Sequence, residues 1–290
     1  MEITINGDAD LQLFITNLTT NGCDTKLHFP ESFGNLGALI TLEILNCDSL
    51  THFPVICGNL IALITLEISC CNNLTHVPES FGNLSALTTL YIHVCDIYTL
   101  PESFGNLSAL TTFKIILCYN LTHFPESIGN LQALTSLEIS YCNKLTHLPD
   151  SIGKLQALTS LEISYCNKLT HLPDSIGKLL ALTTFDIYGC ENLTQFPESL
   201  GNLHALTTFN ISYFDNLTHI VLPNTICFCK NLQNIAVSNI NMLPPSMMLL
   251  EKINDITVIN KNGETTTHNI KDMLLLWYRI VKTTYVLCKI

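Results

Sequence analysis

The chain has 290 residues and a formal net charge of −11, and its 13 Lys and Arg form no basic run. With no cationic field to neutralise phosphates, no nucleic-acid partner is expected. Hydrophobic residues make up 47% and charged ones 13%, the balance of a long apolar core under a mostly neutral polar surface.

At the N-terminus, MEITINGDADLQLF lacks the basic start and apolar core of a secretory signal. The expected location is the cytoplasm, with the nucleus as the alternative. Residues 1–14 read as a partial repeat and cap: Ile3, Ile5, Leu11 and Phe14 resemble the strand half of a unit without its return. Residues 15–231 then carry one frame of about 24 residues, starting at Ile15, Leu39, Leu63, Leu87, Leu110, Leu134, Leu158, Leu182 and Leu206. It reduces to LxxLxIxxCxxLTxxPxSxGxLxA, and the copy at Leu87 is one residue short. Residues 134–157 and 158–181 differ only in Gln156 against Leu180.

Within each unit, positions four and six, such as Leu137 and Ile139, alternate with polar residues, the period of a half-buried strand. Leu145 and Leu148 point inward again, and Pro149 ends the extended run because it lacks an N–H and has a fixed φ. A single unit cannot bury its own apolar side, so units must stack, and stacked strands make a parallel sheet. Eight of the 13 Cys (Cys23, Cys47, Cys71, Cys95, Cys118, Cys142, Cys166 and Cys190) follow the same period. They read as small buried residues, not as disulfides or metal ligands.

This motif resembles the leucine-rich-repeat family, and its CxxLTxLPxSIGxLxxL form resembles the repeats of plant-type intracellular immune receptors and related intracellular proteins. The resemblance covers about residues 15–231 and implies an arc with the sheet on its concave side. The expected fold is therefore an α/β repeat solenoid with a concave parallel β-sheet and about nine full repeats. Cys stands where many family members have an Asn that ties adjacent turns to the backbone. No GxxxxGK[ST] phosphate loop is present.

Toward the C-terminus, residues 232–263 read as shortened terminal repeats, with LQNIAVSNINMLPPS from Leu232 and a last strand from Ile253 to Val258. Residues 264–290 read as a capping segment. Asn269 to Asp272 would open an amphipathic helix running to about Val286, with Met273, Leu276, Trp277 and Ile280 covering the final turn. The most apolar stretch here, Met273 to Trp277, is too short to span a bilayer, so no membrane insertion is expected.

Candidate binding residues lie on the outward strand positions three, five, seven and eight. Position five reads Thr19, Glu43, Glu67, Tyr91, Lys114, Glu138, Glu162, Asp186 and Asn210. Strands lie about 4.8 Å apart, so neighbouring carboxylates repel by roughly 0.8 kcal/mol even in water. A purely structural surface gains by breaking such a column, yet only Tyr91 and Lys114 break it. Positions seven and eight add His93, Ile116, Leu117, Tyr141, Tyr165, Tyr188 and Tyr213. Aromatics beside charges compose a protein-binding patch. The expected function is a non-enzymatic module whose partner is a protein with basic and apolar groups, and the resemblance implies signalling or immune-type recognition as its setting. The competing readings are that duplication copied these residues without selection, or that the chain is a fragment of a larger receptor with no partner of its own.

A second column, His28, His52, His76, His123, His147, His171 and His219, stands two residues before the Pro or its equivalent and is expected to face solvent. Carboxylates or thiols do not recur beside it in sequence, so no metal and no cofactor are expected. A thiol nucleophile is not expected either, because the recurrent Cys face the core while the His face out. No catalytic residue is assigned.

Overall fold

The structure is a computed structural model that describes residues 16–22, 29–213, 221–253, 255–260 and 262–270. Twelve strands form one sheet in chain order. They are β1 (Asn17–Asn21), β2 (Thr41–Leu45), β3 (Thr65–Cys71), β4 (Thr89–Cys95), β5 (Thr112–Ile116) and β6 (Ser136–Ser140), then β7 (Ser160–Ser164), β8 (Thr184–Tyr188), β9 (Thr208–Ser212), β10 (Asn234–Val237), β11 (Asp255–Ile259) and β12 (Thr265–Asn269). Neighbours from β1 to β11 pair in parallel, and β12 pairs antiparallel with β11. The repeat solenoid expected from the period is the fold observed.

Strand alternation holds through position six: Leu66, Ile68, Leu161 and Ile163 are fully buried. It then breaks at position eight, where Asn46, Cys70, Val94, Leu117, Tyr141, Tyr165 and Tyr213 all have positive φ, between 51° and 59°. This left-handed residue turns its own side chain outward and brings the following Cys inward. The ladder survives the turn, since the Tyr141 N–H donates to the Ser164 carbonyl at 2.8 Å and the Leu117 N–H to that of Ser140 at 2.9 Å. Holding a non-Gly residue there costs roughly 1–2 kcal/mol, offset by this hydrogen bond and, in the units that carry it, by burial of the Cys.

The thiols tie the turns together. Cys71 Sγ donates to the Ile44 carbonyl at 3.6 Å, Cys166 to that of Ile139 at 3.7 Å and Cys190 to that of Ile163 at 3.8 Å, each reaching into the preceding unit. Burial pushes the Cys118 thiol up to about 12 and raises Cys57 further still. Thiolate, not thiol, is the nucleophile. Iodoacetamide at pH 8 should therefore spare buried Cys57 and Cys118 until the fold opens, while the accessible, half-buried Cys70 is labelled. Peptide mass spectrometry showing Cys118 alkylated as fast as Cys70 would contradict this.

The returns on the convex side are short 3-10 turns, such as Asp150–Lys154 after Pro149 and Asp174–Lys178 after Pro173. Among the described residues no α-helix spans a return, because only five residues separate the Pro from the Leu that follows the Gly. The Gly is required there: a Cβ on Gly153 would lie 2.3 Å from the Ser175 carbonyl oxygen of the next unit. In the shorter copy, Ile97 is fully buried in place of the missing Leu, so the core is continuous across the deletion. Phenylalanines link the sheet to these returns, with the Phe113 ring on β5 lying 5.0 Å from that of Phe104.

The ends differ from expectation. The strand expected from Ile253 to Val258 is observed at Asp255–Ile259. Residues 264–290 were expected to cap the solenoid as a helix, yet Thr265–Asn269 form β12, which pairs with the β11 edge. That pairing satisfies the open backbone groups of the last parallel strand. The rest of the helix expected to about Val286, and the cap expected at residues 1–14, lie outside the described residues.

Candidate functional site on the concave face

The parallel register places the position-five side chains in one file, Glu43 against Glu67, Tyr91, Lys114, Glu138, Glu162, Asp186 and Asn210 on successive strands. Most of its carboxylates have a local partner, one a cation and the others neutral hydroxyls. Lys114 Nζ sits 2.8 Å from Glu138 Oε2, and that carboxylate holds the ammonium above its ordinary pKa. Glu43 accepts from Thr19 Oγ1 at 2.7 Å, Glu67 from Ser69 Oγ at 2.9 Å and Glu162 from the Tyr188 hydroxyl. Burial and the bond to Glu162 push the Tyr188 phenol up. Asp186 is raised by burial and by the neighbouring Glu162 charge.

Beside this file four tyrosines run across β6–β9. The Tyr141 and Tyr165 rings stack at 4.4 Å and 12°, Tyr165 meets Tyr188 edge-on at 5.7 Å, and Tyr188 lies 6.3 Å from Tyr213 at 62°. Only Tyr141 among them is exposed (38%), since stacking half-covers the others. The register also brings His93 against Ile116, with Leu117 next to it, on the N-terminal side of the tyrosines. Apart from the exposed Tyr141, the candidate binding residues are half-buried, and none lies within the core.

Two features escaped sequence reasoning. Position seven was expected to face outward with position eight, yet Ser140, Ser164 and Ser212 are buried (3%, 1% and 0% exposed). Ser164 Oγ donates to Ser140 Oγ at 2.7 Å. Gly189, at position eight of β8, is the second: a Cβ there would fall 2.4 Å from the Tyr165 ring. The Tyr-Gly order at 188–189, against Ser-Tyr in the two preceding units, is the signal for it.

The described members of the His column, His52, His76, His123, His147 and His171, face solvent; His28 and His219 lie outside the described residues. His52 and His76 stack at 4.9 Å, and each Nδ1 pairs with the Oγ1 of the preceding Thr. A groove of about 520 Å³ is lined by His147 and His171 with Glu126, Asp150 and Asp174. Among the described residues no three His, Cys, Asp or Glu side chains are grouped to hold a metal, and no helix is long and apolar enough to cross a membrane.

Comparison with known proteins places these features in context. Residues 115–221 match the family profile described as a leucine-rich repeat region, and residues 62–84 match that of the single leucine-rich repeat. No curated protein sequence matches the chain. Among solved structures, it is similar to the leucine-rich repeat domain of the type III effector XopL, with 27% identity over 67% of each chain and a TM-score of 0.60. It is also similar in fold to the crystal structure of PEPR1-AtPEP1, with 21% identity over 84% of this chain and 38% of that one, at a TM-score of 0.52.

Proposed function

We propose that this leucine-rich-repeat solenoid is a non-enzymatic module that binds a protein partner across β4–β9 of its concave face. The observation that carries the reading is the unbroken file of four tyrosines beside a carboxylate file. Interface hot spots are rich in Tyr, whose rings give large contact area at low entropic cost. Solenoids of this kind present extended concave surfaces to partners. The partner's chemistry follows from the face: basic groups against Glu138, Glu162 and Asp186, and apolar groups against Ile116, Leu117 and the tyrosines. The setting we assign is signalling or immune-type recognition inside the cell, on the motif's resemblance to intracellular receptors. The described cysteines, all free thiols, fit a reducing compartment.

The test replaces Glu138, Tyr141, Glu162 and Tyr165 together by Ala, then compares affinity capture and mass spectrometry with the unaltered chain. Two hot-spot truncations of about 2 kcal/mol each would weaken the specific partner more than about tenfold, at roughly 1.4 kcal/mol per decade. Every captured protein persisting in the folded variant would overturn the reading.

A further inference from the structure

We propose that the convex side carries a second binding site, a groove over the returns of units 134–157 and 158–181 that takes an acidic, leucine-bearing peptide segment. The groove has a volume of about 800 Å³, and Lys154, Gln156, Lys178 and Leu180 line it without any carboxylate. The residue after the return Gly is Asn35, Asn59, Asn83, Asn106, Asn130 and Asn202 in other units, but Lys154 and Lys178 in these two. Two exposed cations thus stand on successive turns of a chain whose net charge is −11. Neither forms an ion pair among the described residues. Asp150 and Asp174, which open the same 3-10 turns, line the groove of the His column instead.

The single difference between these two units falls in the same groove. Gln132 Nε2 donates to the Gly129 carbonyl at 2.7 Å and to that of Lys154 at 3.1 Å. Gln156 Nε2 repeats the pair, to Gly153 at 2.9 Å and to Lys178 at 3.1 Å, so each Gln ties its own return to the next. Leu180 makes neither bond and is 57% exposed. Folding gains nothing from that change, which forgoes two hydrogen bonds and leaves an apolar side chain in water. A peptide laid along the groove covers Leu180 with an apolar side chain and brings carboxylates to the two ammonium groups. Anionic membranes and nucleic acids are held by several cations at once, whereas this groove offers two. A bare phosphate leaves Leu180 uncovered.

The experiment titrates the full chain with the peptide acetyl-Gly-Leu-Glu-Glu-Leu-Gly-amide and with its Gln-Gln counterpart, followed by NMR. At low salt the acidic peptide should bind roughly tenfold more tightly, within the reach of two exposed ion pairs. Lys154→Asn with Lys178→Asn should erase that difference, and both changes are tolerated by the fold because Asn holds this place in other units. Leu180→Gln should weaken both peptides severalfold; it folds, since it makes residues 158–181 identical to 134–157. The concave variant at Glu138, Tyr141, Glu162 and Tyr165 should bind the acidic peptide as the parent does, which keeps this site's outcome separate from that of the concave face. Equal binding of the two peptides, or a preference unchanged by the double Lys variant, overturns the site. Displacement of the acidic peptide by an equal concentration of inorganic phosphate would reduce it to a bare anion site and defeat the proposal. Lysine-dependent sedimentation with phosphatidylserine vesicles would defeat it in favour of a membrane.

Discussion

Replacing Phe113 by Ala should lower the stability of the chain by about 3–5 kcal/mol, the cost of removing a fully enclosed aromatic ring. Phe113 is 0% exposed on β5, with the Phe104 ring at 5.0 Å and the Phe124 ring at 6.4 Å. It joins the sheet to the convex returns beside the shortened unit, so the neighbouring units lose packing on both sides. In a solenoid, stability is a sum of units and nearest-neighbour interfaces, and a cavity here weakens two of them. Phe113→Leu should cost only about 1 kcal/mol, because Leu42, Leu66, Leu90, Leu137 and Leu161 occupy the same position in other units. Urea melts of the two variants decide it, and a cost under about 1.5 kcal/mol for the Ala change would sink the expectation.

Gly153→Val should destabilise by about 3 kcal/mol, the upper end for overpacking. The Cβ positions of Gly58, Gly82, Gly105, Gly129, Gly153, Gly177 and Gly201 all fall 2.2–2.5 Å from a carbonyl oxygen of the following unit. The obstacle is backbone, so relief requires the units to part on the convex side. Gly37 provides the contrast, because a Cβ there meets only the Asn35 carbonyl oxygen at 4.0 Å. Gly37→Ala should therefore stay within about 0.5 kcal/mol of the parent. Equal melting temperatures for Gly153→Val and Gly37→Ala would show that the close stacking is not a constraint.

The period alone was enough to place the strands, the inward Leu and Ile, the buried Cys and the outward His, because each follows from stacking identical units. What it could not place depends on side-chain size at position seven, where Ser140, Ser164 and Ser212 are buried while His93 and Ile116, followed by the same left-handed backbone, stay half-buried. The β11–β12 hairpin was missed because TTTHN has no apolar alternation, although Asn262-Gly263 ahead of it is a turn signal. The pairing of Glu138 with Lys114 and of Glu162 with Tyr188 was legible only once register was known.

Units 134–157 and 158–181 differ at one residue, and their strands β6 and β7 align residue for residue. A gene carrying such a tandem is open to unequal recombination, which adds or removes a whole unit in frame. Each exchange preserves every kind of local contact, so folding places little selection against it. It does move Asp186 relative to Lys114 by one rung, roughly 5 Å. The spacing between the cation-bearing strand and the carboxylates beyond it is thereby a heritable length, open to change without any point substitution.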